Sequence, residues 1–91
     1  MQIKGFDWDE VNTSHIELRH GVKPEEAEEV FIQKYLLLKA KYGRYNALGY
    51  TLAGRLLSVI FEYQGKEIAR ILTARDMTKK EIRYFNRRRK C

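Results

Sequence analysis

The chain has 91 residues, of which 44% are hydrophobic, 33% are charged and eleven are aromatic. This composition is typical of one small globular domain and excludes a disordered tail, and a core this thin favours stabilisation by a partner or by dimerisation. No run of 18 apolar residues exists, so we expect no membrane span. The opening MQIKGFDWDE has no apolar signal core, and the single cysteine, Cys91, cannot form an internal disulfide. We therefore expect residues 1–91 to be a single cytoplasmic domain.

Charge is distributed unevenly along the chain. Residues 1–33 hold eight acids and three bases, a net of −5, whereas residues 34–91 hold fifteen bases and four acids, a net of +11. A basic surface of this kind attracts polyanions, with nucleic acid first among them. We therefore expect a nucleic-acid or phosphate partner. The alternative is a soluble surface that is merely uneven in charge.

The predicted elements begin with a short strand in IKGFDW and a helix from Asp9 to about His20. Asp9 can cap this helix by accepting hydrogen bonds from the backbone N–H groups of its first turn. Gly21 is placed to end it in a left-handed conformation. One side of the helix is predicted to carry Trp8, Val11, His15 and Leu18.

A second helix and four strands are predicted next. Pro24 is tolerated at a first helical position, and Ala27, Val30 and Phe31 give the apolar stripe of a helix. The runs YLLLKAKY, RYNALGYT, RLLSVIFEYQ and KEIARILTA are interpreted as strands joined by tight turns. Thr78 and Glu81 have the capping-box spacing at the start of a last helix. The order β-α-α-β-β-β-β-α indicates an α+β domain, a small antiparallel sheet with helices packed on it.

No metal or cofactor motif accompanies these elements. His15 and His20 are five residues apart, not the four that bring two ligands to one helical face. No second cysteine and no cluster of acids completes a metal site. We therefore interpret His15 as a packed helix residue and predict neither a metal nor a cofactor.

Arginines on the predicted strands are the main chemical signal, and they are Arg44, Arg55, Arg70 and Arg75. A guanidinium on a strand is costly unless its head reaches water, a carboxylate or a ligand, and its planar fork suits phosphate. Arg55 and Arg70 are our first pair. Arg75 is a weaker third, because in a regular strand residues 70 and 75 point to opposite faces unless the strand ends or bulges between them. The alternative for Arg70 is a cross-strand salt bridge with Glu62.

The basic end of the chain, RRRK at residues 87–90, is the least specific feature. Such a run is equally typical of an arm that grips phosphates and of a solvated helix end.

Five stretches taken together resemble one known family: FDWD at the start, HGV at 20–22, EEAEEVF at 25–31, GRLLSVIFE at 54–62 and IARILTARDMTKKEIRYF at 68–85. In this order they resemble the BrnT family of toxins, also called the DUF497 family. The resemblance implies a ribonuclease toxin of a type II toxin–antitoxin pair with a RelE-like fold. The implied partners are an RNA substrate and a small DNA-binding antitoxin, with a homodimer considered within their complex and no membrane.

The resemblance also implies site residues by position. Arg55, Arg70 and Arg75 would hold the scissile phosphate and stabilise the charge of the transition state, while the 2′-OH of the RNA attacks without a metal. The residues expected to bind RNA are Trp8, Arg44, Tyr84, Arg87 and Arg88. Trp8 is predicted either to stack a base or to pack, with packing favoured because a tryptophan buries so much surface.

Several positions depart from the family pattern. Ile16 and Arg19 stand where members often carry Asn and Lys, Gly43 stands where an acid often precedes the arginine, and Tyr63 stands in place of a glutamate. The general base therefore stays open between Glu62, Tyr84 and no protein group at all. The alternative function is a non-catalytic nucleic-acid or protein-binding module of the same fold. A third hypothesis gives the arginines only surface ion pairs.

Overall fold

The computed structural model describes residues 2–89, with Arg89 described by its backbone. The elements are β1 (Gly5–Asp7), α1 (Glu10–His20), α2 (Pro24–Glu29), β2 (Leu36–Lys39), β3 (Tyr45–Tyr50), β4 (Leu56–Tyr63), β5 (Ile68–Asp76) and α3 (Lys79–Arg89). This order confirms the predicted β-α-α-β-β-β-β-α arrangement and the α+β class. Lys90 and Cys91, to which we assigned the end of a basic run and a free thiol, lie outside the described residues. No helix within residues 2–89 is long and apolar enough to cross a membrane.

The five strands form one mixed sheet in the order β1-β5-β4-β3-β2. Strands β2 to β5 make the antiparallel meander that the sequence predicts. β1 joins the other edge and runs parallel to β5, with Phe6 opposite Ala69. Parallel pairing needs a long connection, here supplied by α1, α2 and the meander, and local periodicity carries no information about it.

The helix ends form where the sequence predicts them. Asp9 Oδ1 accepts a hydrogen bond from the Asn12 backbone N–H at 2.7 Å, and Gly21 ends α1 with a φ of 62°. At α3, Glu81 accepts from the Thr78 backbone N–H at 2.9 Å, and Thr78 Oγ1 accepts from the Glu81 N–H at 3.2 Å. This reciprocal pair is the predicted capping box.

The side of α1 that carries Val11 and Leu18 is not the side that faces the sheet. Val11 and Leu18 are 77% and 86% exposed, whereas Ile16 is fully buried against the sheet. Val11 and Leu18 lie roughly 140° and 160° around the helix from Ile16. Only a narrow stripe of α1 meets the sheet, with Ile16 as its buried residue.

The main core lies on one side of the sheet, which we call the α1/α2 face. Its buried sheet residues are Ala47, Leu57, Val59, Phe61, Ala69, Ile71 and Ala74. The predicted stripe of α2 and its end, Ala27, Val30 and Phe31, packs on them as expected. Gly49 permits this approach, because a Cβ at that position would lie 2.8 Å from Val30 Cγ1.

The opposite side of the sheet, which we call the α3 face, carries the alternate residues of the strands. α3 packs Phe85 and Ile82 against Leu48 and Leu56 there, which confirms the packing predicted for this helix. α3 therefore covers the end of the face nearest β2 and β3. The opposite end of the α3 face keeps partly exposed polar side chains.

Candidate active site

A bulge in β5 decides which face its arginines share. Between the residues that pair with Ile60 and Phe61, β5 holds one extra residue, Leu72, so the two-residue alternation shifts there. Arg70 and Arg75 consequently both lie on the α3 face. This is the condition under which the sequence allowed residues 70 and 75 to serve one site.

The spacing of this arginine pair follows from the strand register. Arg70 lies opposite Glu62 and Arg75 lies opposite Ser58 on β4. Those partners are four positions apart on β4, so the backbones of the two arginines are roughly 13 Å apart.

Arg75 is held by the first turn of α3. Its Nη1 and Nη2 donate to Glu81 Oε1 and Oε2 at 2.7 and 3.0 Å, a two-point contact. The hydrogen bond to Glu81 raises the pKa of Arg75 above its ordinary value. Burial alone would raise the pKa of Glu81, but the hydrogen bonds from Arg75 and the Thr78 backbone outweigh it and lower that pKa. At neutral pH the pair is therefore a guanidinium and a carboxylate.

Arg70 is held by acids from the start of the chain. Its Nη2 donates to Asp9 Oδ2 at 2.6 Å, and its Nη1 lies 3.8 Å from Asp7 Oδ2. Glu62 is opposite Arg70 in register, as the alternative interpretation required, but the ion pairs of Arg70 are with Asp7 and Asp9. The side chain of Arg70 is 38% exposed.

Glu62 pairs instead with Arg44, whose Nε lies 3.6 Å from Glu62 Oε2. Arg44 also places its guanidinium 5.9 Å from the ring centre of Tyr42. Its buried Nε has no hydrogen-bond partner among residues 2–89. Arg44 is therefore on the same side of the sheet as Arg70, two strands away, and is only loosely held.

Arg55 forms a separate structural node. Its Nε and Nη2 donate to Asp76 at 2.7 and 3.0 Å, and its Nη1 donates to Glu26 at 3.2 Å. Nη1 and Nη2 also donate to the backbone carbonyls of Gly21 and His20 at 2.9 and 3.3 Å. All five N–H groups of the guanidinium are thereby engaged. The hydrogen bond with Asp76 raises the pKa of Arg55, and the bond from Arg55 lowers the pKa of Asp76.

The prediction that Arg55 and Arg70 form one pair is wrong. Arg55 points toward the turn between α1 and α2, whereas Arg70 lies on the α3 face. Asp76, the partner of Arg55, lies opposite Leu57 on β4, five positions from the residue opposite Arg70, which is roughly 17 Å. In a regular strand residues 70 and 75 would point to opposite faces, and this led us to pair Arg70 with Arg55 instead. The bulge at Leu72 places residues 70 and 75 on the same face, so that reason no longer holds.

Trp8 lies on the α1/α2 face of the sheet. It packs against the buried cluster of the α1/α2 face, and its Nε1 donates to Glu28 Oε2 at 2.6 Å. This position supports the packing interpretation rather than stacking on an RNA base.

The remaining residues expected to bind RNA lie on α3. Tyr84 packs beside the buried Leu48 and Phe85, and Arg88 lies 5.1 Å from the centre of its ring. Tyr84 and Arg87 line a cavity of about 610 Å³ between α3 and strands β2 and β3. These residues therefore border the α3 face, on which Arg70 and Arg75 also lie.

The two histidines contact each other at the end of α1. The rings of His15 and His20 are 5.4 Å apart in an edge-on arrangement. Within the described part of the chain, no group of three His, Cys, Asp or Glu side chains is placed to hold a metal ion.

Comparison with known proteins supports the resemblance found in the sequence. Residues 8–81 match the family model described as "Ribonuclease toxin, BrnT, of type II toxin-antitoxin system". The chain belongs to the BrnT toxin family. The crystal structure of the Brucella abortus ribonuclease toxin BrnT matches with a TM-score of 0.71 and 22% identity, over 84% of this chain and 100% of that one. At this identity the match confirms a BrnT-like fold. No curated protein matches the chain.

Carboxylates are the partners of these arginines that the sequence left unassigned. Asp9, Glu81 and Asp76 hold Arg70, Arg75 and Arg55 respectively. Asp9 and Glu81 were predicted as helix caps, and their second contacts depend on which strand lies beside each helix start. The predicted helix caps were the sequence signal for these partners. A carboxylate that caps a helix can also accept a hydrogen bond from a nearby strand arginine.

Proposed function

We propose that this protein is a ribonuclease toxin that cleaves RNA without a metal and is neutralised by a small DNA-binding antitoxin. Two findings support the proposal: membership of the BrnT family and the joint position of Arg70 and Arg75 on the α3 face. The second carries the chemistry, because two permanently charged guanidinium groups on one accessible face suit a phosphodiester.

The proposed chemistry needs little from the protein beyond charge and position. The 2′-OH of the RNA attacks the neighbouring phosphorus and loses its proton to water, while the bond from that phosphorus to the 5′ oxygen breaks and the departing oxygen takes a proton from water. The products are a 2′,3′-cyclic phosphate and a 5′-OH, and negative charge builds up on the phosphate oxygens in the transition state. Arg70 and Arg75, 38% and 39% exposed, are accessible to those oxygens and would stabilise that charge more in the transition state than in the substrate. Arg55 and Trp8 lie outside this proposed site.

The acids beside the arginines set a condition on binding. A phosphate must replace Asp9 at Arg70 and Glu81 at Arg75, or share the guanidinium with them. Both ion pairs are partly exposed, and such pairs contribute only about 1 kcal/mol or less. A polyanion with several phosphates can therefore compete with them.

The same ion pairs favour the second candidate, a module that binds RNA without cleaving it. If Arg70 and Arg75 stay paired with Asp9 and Glu81 when RNA binds, the basic α3 face still attracts RNA. The two arginines then do not contact the phosphate and cannot stabilise a transition state. This candidate predicts steeply salt-dependent binding with no products.

Antitoxin-free protein incubated with a labelled mixed-sequence RNA in EDTA tests the proposal. We expect fragments that end in 2′,3′-cyclic phosphate, and no cleavage of the same sequence with 2′-O-methyl groups, because the attacking hydroxyl is then blocked. Intact RNA in every lane, from protein shown to be folded, would contradict the proposal and favour the binding module.

A further inference from the structure

The cavity beside α3 has a floor that the proposed cleavage chemistry does not use. Leu38 and Leu48 form its apolar base, and Tyr84 forms one wall. Leu48 is almost fully buried, whereas Leu38 and Tyr84 are partly exposed. Its volume of about 610 Å³ lies in the range of pockets that hold small organic groups.

The rim of this cavity is basic at two positions along α3. Lys80 and Arg87 line it, and both also border a second depression on α3 that includes Arg83. Between residues 79 and 89, α3 carries six basic residues and one acid, Glu81. An apolar floor under a strongly cationic rim suits a ligand with an apolar body and negative charge on both sides.

Glu81 connects the cavity to the arginine pair. Glu81 lines the cavity, and its carboxylate accepts two hydrogen bonds from Arg75. A ligand group in the cavity would therefore be next to whatever Arg75 binds.

We propose that this cavity is a subsite for one unpaired nucleobase of the RNA. The base would lie on Leu38, Leu48 and Tyr84, while Lys80 and Arg87 hold the phosphates on its two sides. This inference rests on the proposed function, since it places the base beside the phosphate held by Arg75.

The chemistry of the cavity favours a base over an apolar peptide side chain. Bases present a flat face that stacks on aromatic and guanidinium groups, and they are flanked by phosphates, which match the basic rim. A base stacked within a duplex cannot enter, so the subsite also selects single-stranded RNA.

A binding cycle tests the subsite independently of cleavage. The ligands are fluorescein-labelled 2′-O-methyl tetranucleotides, intact or with one base removed at each position in turn, and binding is followed by fluorescence anisotropy. In the parent protein, removal of the base at one position should weaken binding about tenfold. In Leu38→Trp, where the new side chain fills the cavity, intact and base-free ligands should bind alike.

Lys80→Gln and Lys79→Gln form a matched pair on the surface of α3. Both are exposed, but only Lys80 lines the cavity. Lys80→Gln should weaken binding of the intact ligand severalfold and reduce the salt slope by about 0.7, whereas Lys79→Gln should have a smaller effect. This pair keeps the test valid if Leu38→Trp does not fold.

The outcomes separate the two proposals. Base-dependent binding that Leu38→Trp abolishes supports the subsite, even if no RNA is ever cleaved. The subsite would be overturned if the protein cleaves RNA, binds intact and base-free ligands equally well, and loses the same affinity in Lys80→Gln as in Lys79→Gln. That result would still support the ribonuclease proposal. An effect of Leu38→Trp on antitoxin binding alone would also overturn it.

Discussion

The Arg55 node and the Arg70–Arg75 pair hold the same type of side chain with different partners. Their exposed fractions are close, 30% for Arg55 against 38% and 39%. The partners differ more. Arg55 binds two backbone carbonyls of the α1–α2 turn in addition to two acids. Arg70 has carboxylates as its ion-pair partners, and Arg75 binds Glu81 and the backbone carbonyl of the next residue, Asp76, at 3.0 Å. A carboxylate can be replaced by a phosphate, but a carbonyl that fixes a turn cannot. Arg55 and Arg70 therefore differ in the type of their partners more than in their exposure.

The largest effect should come from removing either arginine of the α3 face. Arg70→Ala and Arg75→Ala should each lower the RNA cleavage rate about 100- to 1000-fold, the usual cost of one preorganised group that stabilises developing charge. Their free energies of unfolding should fall by only about 1 kcal/mol or less, because the lost ion pairs are partly exposed. Single-turnover cleavage and urea unfolding measure the two effects.

Arg75→Lys is the matched control for that result. Lysine keeps the charge but loses the planar fork, so an intermediate cleavage rate is expected. A rate for Arg75→Ala equal to that of the parent protein would remove Arg75 from the site.

Arg55→Ala should have the next largest effect, and it should be on stability. The variant leaves Asp76, Glu26 and two backbone carbonyls without their donor, which should cost about 2–3 kcal/mol of unfolding free energy. Urea unfolding checks this loss. Cleavage per folded molecule should stay near that of the parent, and a 100-fold loss of cleavage in a stable variant would instead make Arg55 catalytic.

Glu81→Gln should have a smaller effect, and it should strengthen RNA binding. The amide can still cap α3, but it no longer neutralises Arg75. RNA affinity should therefore rise by up to about fivefold, as expected for the loss of one partly exposed ion pair. Anisotropy with the 2′-O-methyl ligands measures it, and weaker binding would mean that Glu81 orients Arg75 for RNA rather than competing with it.

The smallest expected effect is on the stability of the fold at acidic pH. The pKa of Asp76 is lower in the folded protein than its ordinary value of 3.8, because Arg55 donates to it. Its contribution to stability is therefore fully present above pH 3.8 and is lost as pH falls through the lower folded value. Urea midpoints measured downward from pH 5 should decline less steeply in Asp76→Asn than in the parent. Equal slopes would show that the node does not depend on this charge.

Local signals in the sequence were sufficient for much of the fold. Asp9, Gly21 and Thr78 mark helix ends through contacts within a few residues, and all three formed as predicted. The parallel pairing of β1 and the bulge at Leu72 were not predictable, because both depend on which strands become neighbours.

The candidate site was less accessible to sequence reasoning for the same reason. Arg70 and Arg75 were recognised as strand arginines, but the face they share depends on one unpaired residue in β5. Arg55 could not be separated from them, since its carbonyl partners, His20 and Gly21, are distant along the chain. Val11 and Leu18 share one side of α1, but their spacing does not reveal which stripe of the helix meets the sheet.

The most direct test of the division between the two regions is the response of the arginine side chains to RNA. Nitrogen-15 spectra of the Nε–Hε groups would be recorded while a 2′-O-methyl RNA is added, with each signal assigned from its alanine variant. The Arg70 and Arg75 signals should move with RNA, and the Arg55 signal, fixed on Asp76, should stay in place. Movement of Arg55 with Arg70 and Arg75 unchanged would contradict the account.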